Sequence, residues 1–419
     1  MCKHYKWWLL AILSAAFFFN QADRALFGLL TVPIQEDLGL TDLQIGAINT
    51  ALFATLAVVM PFAGALGDRF SRKWIVTISL IGWSLFTLLT GFVGGFVGMM
   101  LFRSIAAGVG EACYMPSALP LLAQHHRETR SFALSVHQGM LYVGLFVSGT
   151  LIGALYLLFG SSWRNLFFLF GAVGLLLGVS FVWILKDGTD GPKAGSAEPA
   201  SGVLESIRAF VRCPSALLMT GGATAIVAVN NAYIAWAPKF AMAKYSISVG
   251  DAGTGTMTWH HAFALGSIYV SGLLTDRFAA RWPRFRLGIQ MAALAFGAPA
   301  IALFGFAPTP VMAWTAAALY GLARGFFEAN THASVFDVIE SRHRSTACGL
   351  MAMCAFLVGS LSPLFVGFMG ERAKCAADPA GLSGFGAGFA YLGAFYLIGA
   401  ACMAMAFFKT FRRDRIANG

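Results

Sequence analysis

The chain has 419 residues, of which 58% are hydrophobic and only 11% charged. A soluble domain carries about 25% charged residues, so too little polar surface is available here to cover a water-soluble globule. The formal charge of +10 does not point to nucleic acid, because the basic residues sit in short clusters between apolar runs, as loops on the cytoplasmic side of a membrane protein do.

Apolar runs of roughly 20 residues, long enough to cross hydrocarbon as helices, recur along the whole chain. Strands of a spanning barrel would alternate over about 10 residues, and these runs do not. Six spans are predicted at 7–32, 43–67, 74–96, 98–123, 132–159 and 163–185. A polar stretch rich in Gly, Pro, Ala and Ser follows, KDGTDGPKAGSAEPASG from Lys186, and marks a flexible linker over 186–212. Six further spans are predicted at 214–240, 250–274, 286–307, 311–338, 344–370 and 384–408. The first span is too long for a signal-peptide core and has no small-residue cleavage site, so it reads as a retained helix.

Orientation follows from charge. With the N-terminus inside, 21 of the 29 Lys and Arg fall on the cytoplasmic side, 5 outside and 3 within spans. This places both termini in the cytoplasm, and compact loops suit a bacterial inner (plasma) membrane. The seven Cys are scattered and give neither a disulfide framework nor metal-ligand spacing.

The two sets of spans resemble each other. The second span ends in GALGDR (Gly64 to Arg69) and the eighth in GLLTDR (Gly272 to Arg277). The fourth carries GVGEACYMPS from Gly108 and the tenth GFFEANTHAS from Gly325, with Glu111 and Glu328 in register. A six-plus-six repeat is a known transporter plan. The expected fold is all-α: twelve transmembrane helices in two pseudo-symmetric bundles, 1–185 and 213–419, joined by the cytoplasmic linker 186–212.

On these motifs the sequence resembles the major facilitator superfamily along essentially its whole length. GDRFSRK (Gly67 to Lys73) completes the superfamily's G-x-x-x-D-R-x-x-R-K signature, here beginning at Gly64. NQADR (Asn20 to Arg24) and GEACYMP (Gly110 to Pro116) resemble the spinster-like and anion:cation symporter branches. Those branches pair an Asp-Arg of the first helix with an Arg and a Glu of the fourth, which maps onto Asp23, Arg24 and Glu111. The usual Arg precedes the Glu by seven residues, whereas Arg103 precedes Glu111 by eight. In a regular helix the extra residue turns Arg103 by about 100°, and Ser104 takes the expected place. The resemblance further implies conformational gating by Gly64, Gly67, Asp68, Arg69 and Arg72, with Asp276 and Arg277 as their repeat counterparts.

Ionisable residues inside spans cost about 2.5–3.5 kcal/mol each on insertion and are functional candidates by default. Asn20, Asp23 and Arg24 share one face of the first span. Arg324, Glu328 and His332 form a stripe on the tenth. Asp23, Glu111 and Glu328 are candidate proton carriers, with Arg24 as counter-ion or anion contact. The alternative is that Asp23–Arg24 and Arg324–Glu328 are structural pairs. Candidate substrate contacts are Asn20, Arg24, Arg103, Tyr114, His137, Gln138, Asn231, Trp236, His261, Arg324 and Asn330. Three intramembrane Arg favour an anion, since Arg pairs bidentately with carboxylate.

The expected function is secondary active transport of a small organic anion, a sugar acid or other carboxylate, by proton-coupled alternating access. Its partners would be that small molecule, protons and the lipid bilayer, and the protein would act as a monomer. Spinster-like transport or export of lysolipid and amphipathic substrates is the second reading. A membrane enzyme would need a motif such as H-E-x-x-H or G-x-S-x-G, and none occurs; a non-transporting sensor stays open. No cofactor, metal or nucleic acid is expected.

Overall fold

The computed structural model describes residues 5–126, 129–186, 203–279, 281–340 and 343–416. Helix α1 covers 5–38 with a break at Leu30. It is followed by α2 Asp42–Arg69, α3 Arg72–Thr90, α4 Phe96–His125, α5 Arg130–Leu158 and α6 Trp163–Ile184. A short helix, Val203–Val211, precedes α7 Pro214–Tyr245. Then come α8 over 249–278, α9 Phe285–Phe306, α10 over 310–336, α11 over 344–373 and α12 Leu382–Asp414. Each predicted span has its helix, with ends displaced by up to six residues, as in α1, predicted to stop at 32 and observed to 38.

Local chemistry sets the boundaries. Gly39 closes α1 in the left-handed region at φ 63°, where a side chain would be strained. Two residues later Thr41 and Gln44 form a reciprocal capping box that starts α2. Thr309 caps α10, with Pro310 in the first turn. Before α12, Asp378 accepts hydrogen bonds from the amides of Leu382 and Ser383 at 2.8 and 2.9 Å.

Among the described residues nine helices are long and apolar enough to cross a membrane by length and composition. The other three spans, α1, α8 and α10, are those carrying Asn20 to Arg24, His260–His261 and Arg324–Glu328. Their deficit in hydropathy coincides with buried polar side chains.

The described residues fall into two compact units, one of 5–186 with 234–258 and the other of 203–233 with 259–416. In the first unit α3 lies against α6 and α1 against α5. A Cβ on Gly171 of α6 would stand 2.6 Å from the Leu88 Cα of α3, so the absence of a side chain lets these helices touch. The segment 234–258 enters the same unit through charge as well as packing. Lys239 of α7 pairs with Asp42, whose side chain is fully buried, and donates to Gln35 Oε1 at 2.6 Å. Gln35 Nε2 in turn donates to Asp42 at 2.8 Å. In the second unit α9 packs on α10 and α12, and α8 on α10.

Candidate functional site

Besides Asp42–Lys239, two pairs of buried charge in the first unit join α1 to α4. Arg103 donates from Nη1 to Asp23 Oδ2 and from Nη2 to the Asp23 carbonyl, both at 2.9 Å. Thr87 of α3 donates to the same Asp23 oxygen at 3.2 Å. Arg24 donates from Nε to Glu111 Oε2 at 2.7 Å. The side chains of Asp23, Arg103 and Glu111 are 4% exposed or less, while that of Arg24 retains 21%.

The expected rotation of Arg103 is not observed. Residues Met99–Ala106 are wound as a π-helix, which takes more residues per turn than an α-helix and absorbs single insertions. The eighth residue is consumed there, and Arg103 faces Asp23 after all. Ser104, in the position the spacing rule would favour, turns to α2 and donates to the Ile48 carbonyl at 2.6 Å.

Each carboxylate is half satisfied. Asp23 Oδ1 and Glu111 Oε1 are buried and have no hydrogen-bond partner among the described residues, as is also true of Arg103 Nε. A buried polar atom left so is costly, and an oxygen in this state is where a proton can be received. Beside Asp23 lies a cavity bounded by Phe19, Trp83, Thr87 and Phe170, no larger than about one water molecule needs.

The second unit holds a different arrangement. Arg324 donates to Glu328 at 2.8 Å within α10 and to Asn230 Oδ1 of α7 at 2.5 Å. Its Nη1 also lies 3.3 Å from His260 Nε2 and 3.5 Å from His261 Nε2. His260 Nδ1 is 3.3 Å from the Ala317 carbonyl, which only accepts, so Nδ1 carries the hydrogen and Nε2 is left to accept from Arg324. The His260 ring stacks on Tyr320 at 4.4 Å and meets Tyr233 at 4.9 Å. Both charged helices also break just past their glutamates, α4 at Cys113 and α10 at Ala329–Asn330. These positions are related by the sequence repeat.

Other candidates are distributed as follows. Tyr114 donates to the Leu13 carbonyl at 2.8 Å and lies 3.2 Å from His137 Nε2, both side chains sealed in the core of α1, α4 and α5 with Phe17 stacked on His137. Gln138 is exposed. Asn20 accepts from its neighbour Gln21. Asn231 donates to the Gly359 carbonyl at 3.4 Å and Asn330 to Ser271 at 3.0 Å. Trp236 is fully buried, with Lys239 Nζ 5.5 Å from its ring centre. Asp276 and Arg277 are exposed and Arg72 half-buried. The surroundings of Gly64 and Gly67 and the side chains of Asp68 and Arg69 lie outside what the structure describes. Sequence reasoning missed Thr87 and the Asp42–Lys239 pair. Opposite charges at the predicted outer ends of the second and seventh spans were the available signal for the latter.

Comparisons with known proteins agree with this architecture. The model of the Major Facilitator Superfamily matches residues 13–363. An "MFS-type efflux pump" of Mycolicibacterium smegmatis is 28% identical over 98% of this chain and 94% of its own. A "Probable L-galactonate transporter" of Escherichia coli is 23% identical over 84% of this chain and 80% of its own. Among solved structures, a bacterial homologue of the human lysosomal transporter Spinster, inward-facing and unoccupied, superposes with a TM-score of 0.86 at 21% identity and covers 100% of both chains. The protein is a multi-pass, twelve-helix membrane transporter with no enzymatic role, and the chain belongs to the Major Facilitator Superfamily.

Proposed function

We propose that the protein carries a small organic anion, a sugar acid or other carboxylate, together with protons by alternating access. The observation that carries this reading is that Arg24, partly exposed, is engaged by a fully buried Glu111 whose second oxygen has no partner among the described residues. With Glu111 ionised the pair is neutral and offers an incoming carboxylate little. A proton on Glu111 removes the competing charge, and Arg24 becomes a bidentate anion contact. Proton and anion thereby require each other. Asp23 and Glu328 are assigned as further proton carriers, each held by its own arginine. The L-galactonate relative supports an anionic cargo. The gating residues, the two-bundle division near 186–212, both termini in the cytoplasm, a bacterial inner membrane and action as a monomer belong to the same proposal.

The test is uptake of labelled sugar acids into proteoliposomes under an imposed pH gradient. Glu111→Gln should abolish gradient-driven accumulation while leaving anion exchange in place. Accumulation undiminished in that variant removes Glu111 from the mechanism.

The efflux-pump relative, similar over nearly the whole chain, favours a second reading, export of amphipathic molecules. It predicts that lysolipids, and not sugar acids, raise the thermal stability of the purified protein, since a ligand of the folded state stabilises it.

A further inference from the structure

The short helix Val203–Val211 has two faces of different character. Ser206, Phe210 and the following Cys213 are buried against the second unit, and Ser206 Oγ lies 2.9 Å from His343 Nδ1. The opposite face is open. Leu204 is 69% and Val211 57% exposed, and at 100° per residue they fall within about 20° of each other. Arg208 and Arg212, both exposed, follow at about 40° and 80° around the same face. Ile207, half-buried, extends the apolar strip on the other side. The result is an apolar strip edged along one side by arginines.

Position decides what can meet this face. Arg212 is two residues before Pro214, where the spanning helix α7 begins, so covalent connection holds the short helix at the level of a membrane surface. We propose that it lies in the headgroup region of the adjacent leaflet. Leu204, Ile207 and Val211 would be sunk at the acyl boundary, with Arg208 and Arg212 on the phosphates of anionic phospholipids. A helix with one apolar and one basic border adopts this attitude, and long basic side chains reach from such a depth to the headgroups. Glu205 sits at about 100° from Leu204, on the arginine border, and 4.0 Å from His343 Nε2; Glu340 and Asp414 line a hollow that Arg208 and Arg212 also border. The inference requires only that α7 spans and is independent of which anion is carried.

Amide hydrogen exchange of residues 203–212 in the full-length protein tests it. The comparison is between nanodiscs of phosphatidylcholine alone and nanodiscs with added phosphatidylglycerol. Protection should rise when phosphatidylglycerol is present, each arginine contributing about fivefold. Arg208→Gln with Arg212→Gln should erase the difference between the two lipids. Leu204→Ser with Val211→Ser should lower protection in both. Exchange of Arg344–Gly359, the first part of α11, reports that these variants remain folded. Equal protection in detergent and in both nanodiscs overturns the proposal. So does protection that grows with the number of copies per nanodisc rather than with lipid charge, because the face would then belong to a second copy.

Discussion

Removing the charge of Asp42 should destabilise the protein more than its place at the start of α2 suggests. Its side chain is fully buried and that of Lys239 is 12% exposed, so Asp42→Asn leaves an ammonium with a neutral partner and little water. Uncompensated buried charges of this kind cost about 3–5 kcal/mol, whereas exchanging both partners for neutral groups of similar volume is close to neutral. Lys239→Met should therefore cost about as much as Asp42→Asn, and the double variant far less than their sum. The interaction term of the cycle should reach about 2 kcal/mol or more. Reversible unfolding in mixed micelles, followed by far-ultraviolet circular dichroism, gives each of the four free energies. Singles that each cost under about 1 kcal/mol, or a double variant equal to their sum, would refute the reasoning. The pair would then be as solvated as an ordinary surface contact.

Three further outcomes are expected. Deleting Ala106 should be tolerated, because the π-helical stretch Met99–Ala106 can revert to α-helical winding and keep Arg103 on Asp23. Folded yield should stay near that of the parent, while deleting Leu294 from the regular helix α9 should collapse it. Gly171→Ala must push α6 from the backbone of α3 and should cost about 1–3 kcal/mol by overpacking, read by the same unfolding assay. Around Asp378, burial raises the carboxyl pKa, but hydrogen bonds from Ser383, Leu382 and Gly381 outweigh it and hold it below the usual carboxylate range. A depressed pKa contributes stability above the unfolded-state value and loses it as pH falls through the folded one. Protection of the amides at the start of α12, taken relative to their intrinsic exchange rates at each pH, should thus fall on acidification, and Asp378→Ala should remove that dependence.

The spans were legible because a helix facing lipid must present it with a long apolar surface, a signal strong in nine of the described helices and weakened in α1, α8 and α10 by their buried polar side chains. The repeat pointed to Glu111 and Glu328, and the structure breaks both helices at matching places beyond them. The partners of the charges were another matter. An i,i+4 pair such as Arg324–Glu328 can be read from one helix, whereas Arg24 meets Glu111 from 87 positions away, a relation that no local period encodes. His260 was visible as a polar residue in a span. Its orientation toward Arg324 depends on the Ala317 carbonyl of a neighbouring helix. The register of Arg103 was misjudged because a uniform 3.6-residue turn was assumed where the backbone is wound more loosely.

That looser winding bears on how chains of this kind should be compared. A one-residue insertion in the middle of a membrane span is ordinarily treated as forbidden, since it would swing everything downstream to a new azimuth. Here the surplus between Arg103 and Glu111 is taken up within eight residues. Alignments of transporters with such spans should therefore admit a gap inside the span, and fixed-distance signatures will overlook members whose side chains nonetheless come together in space.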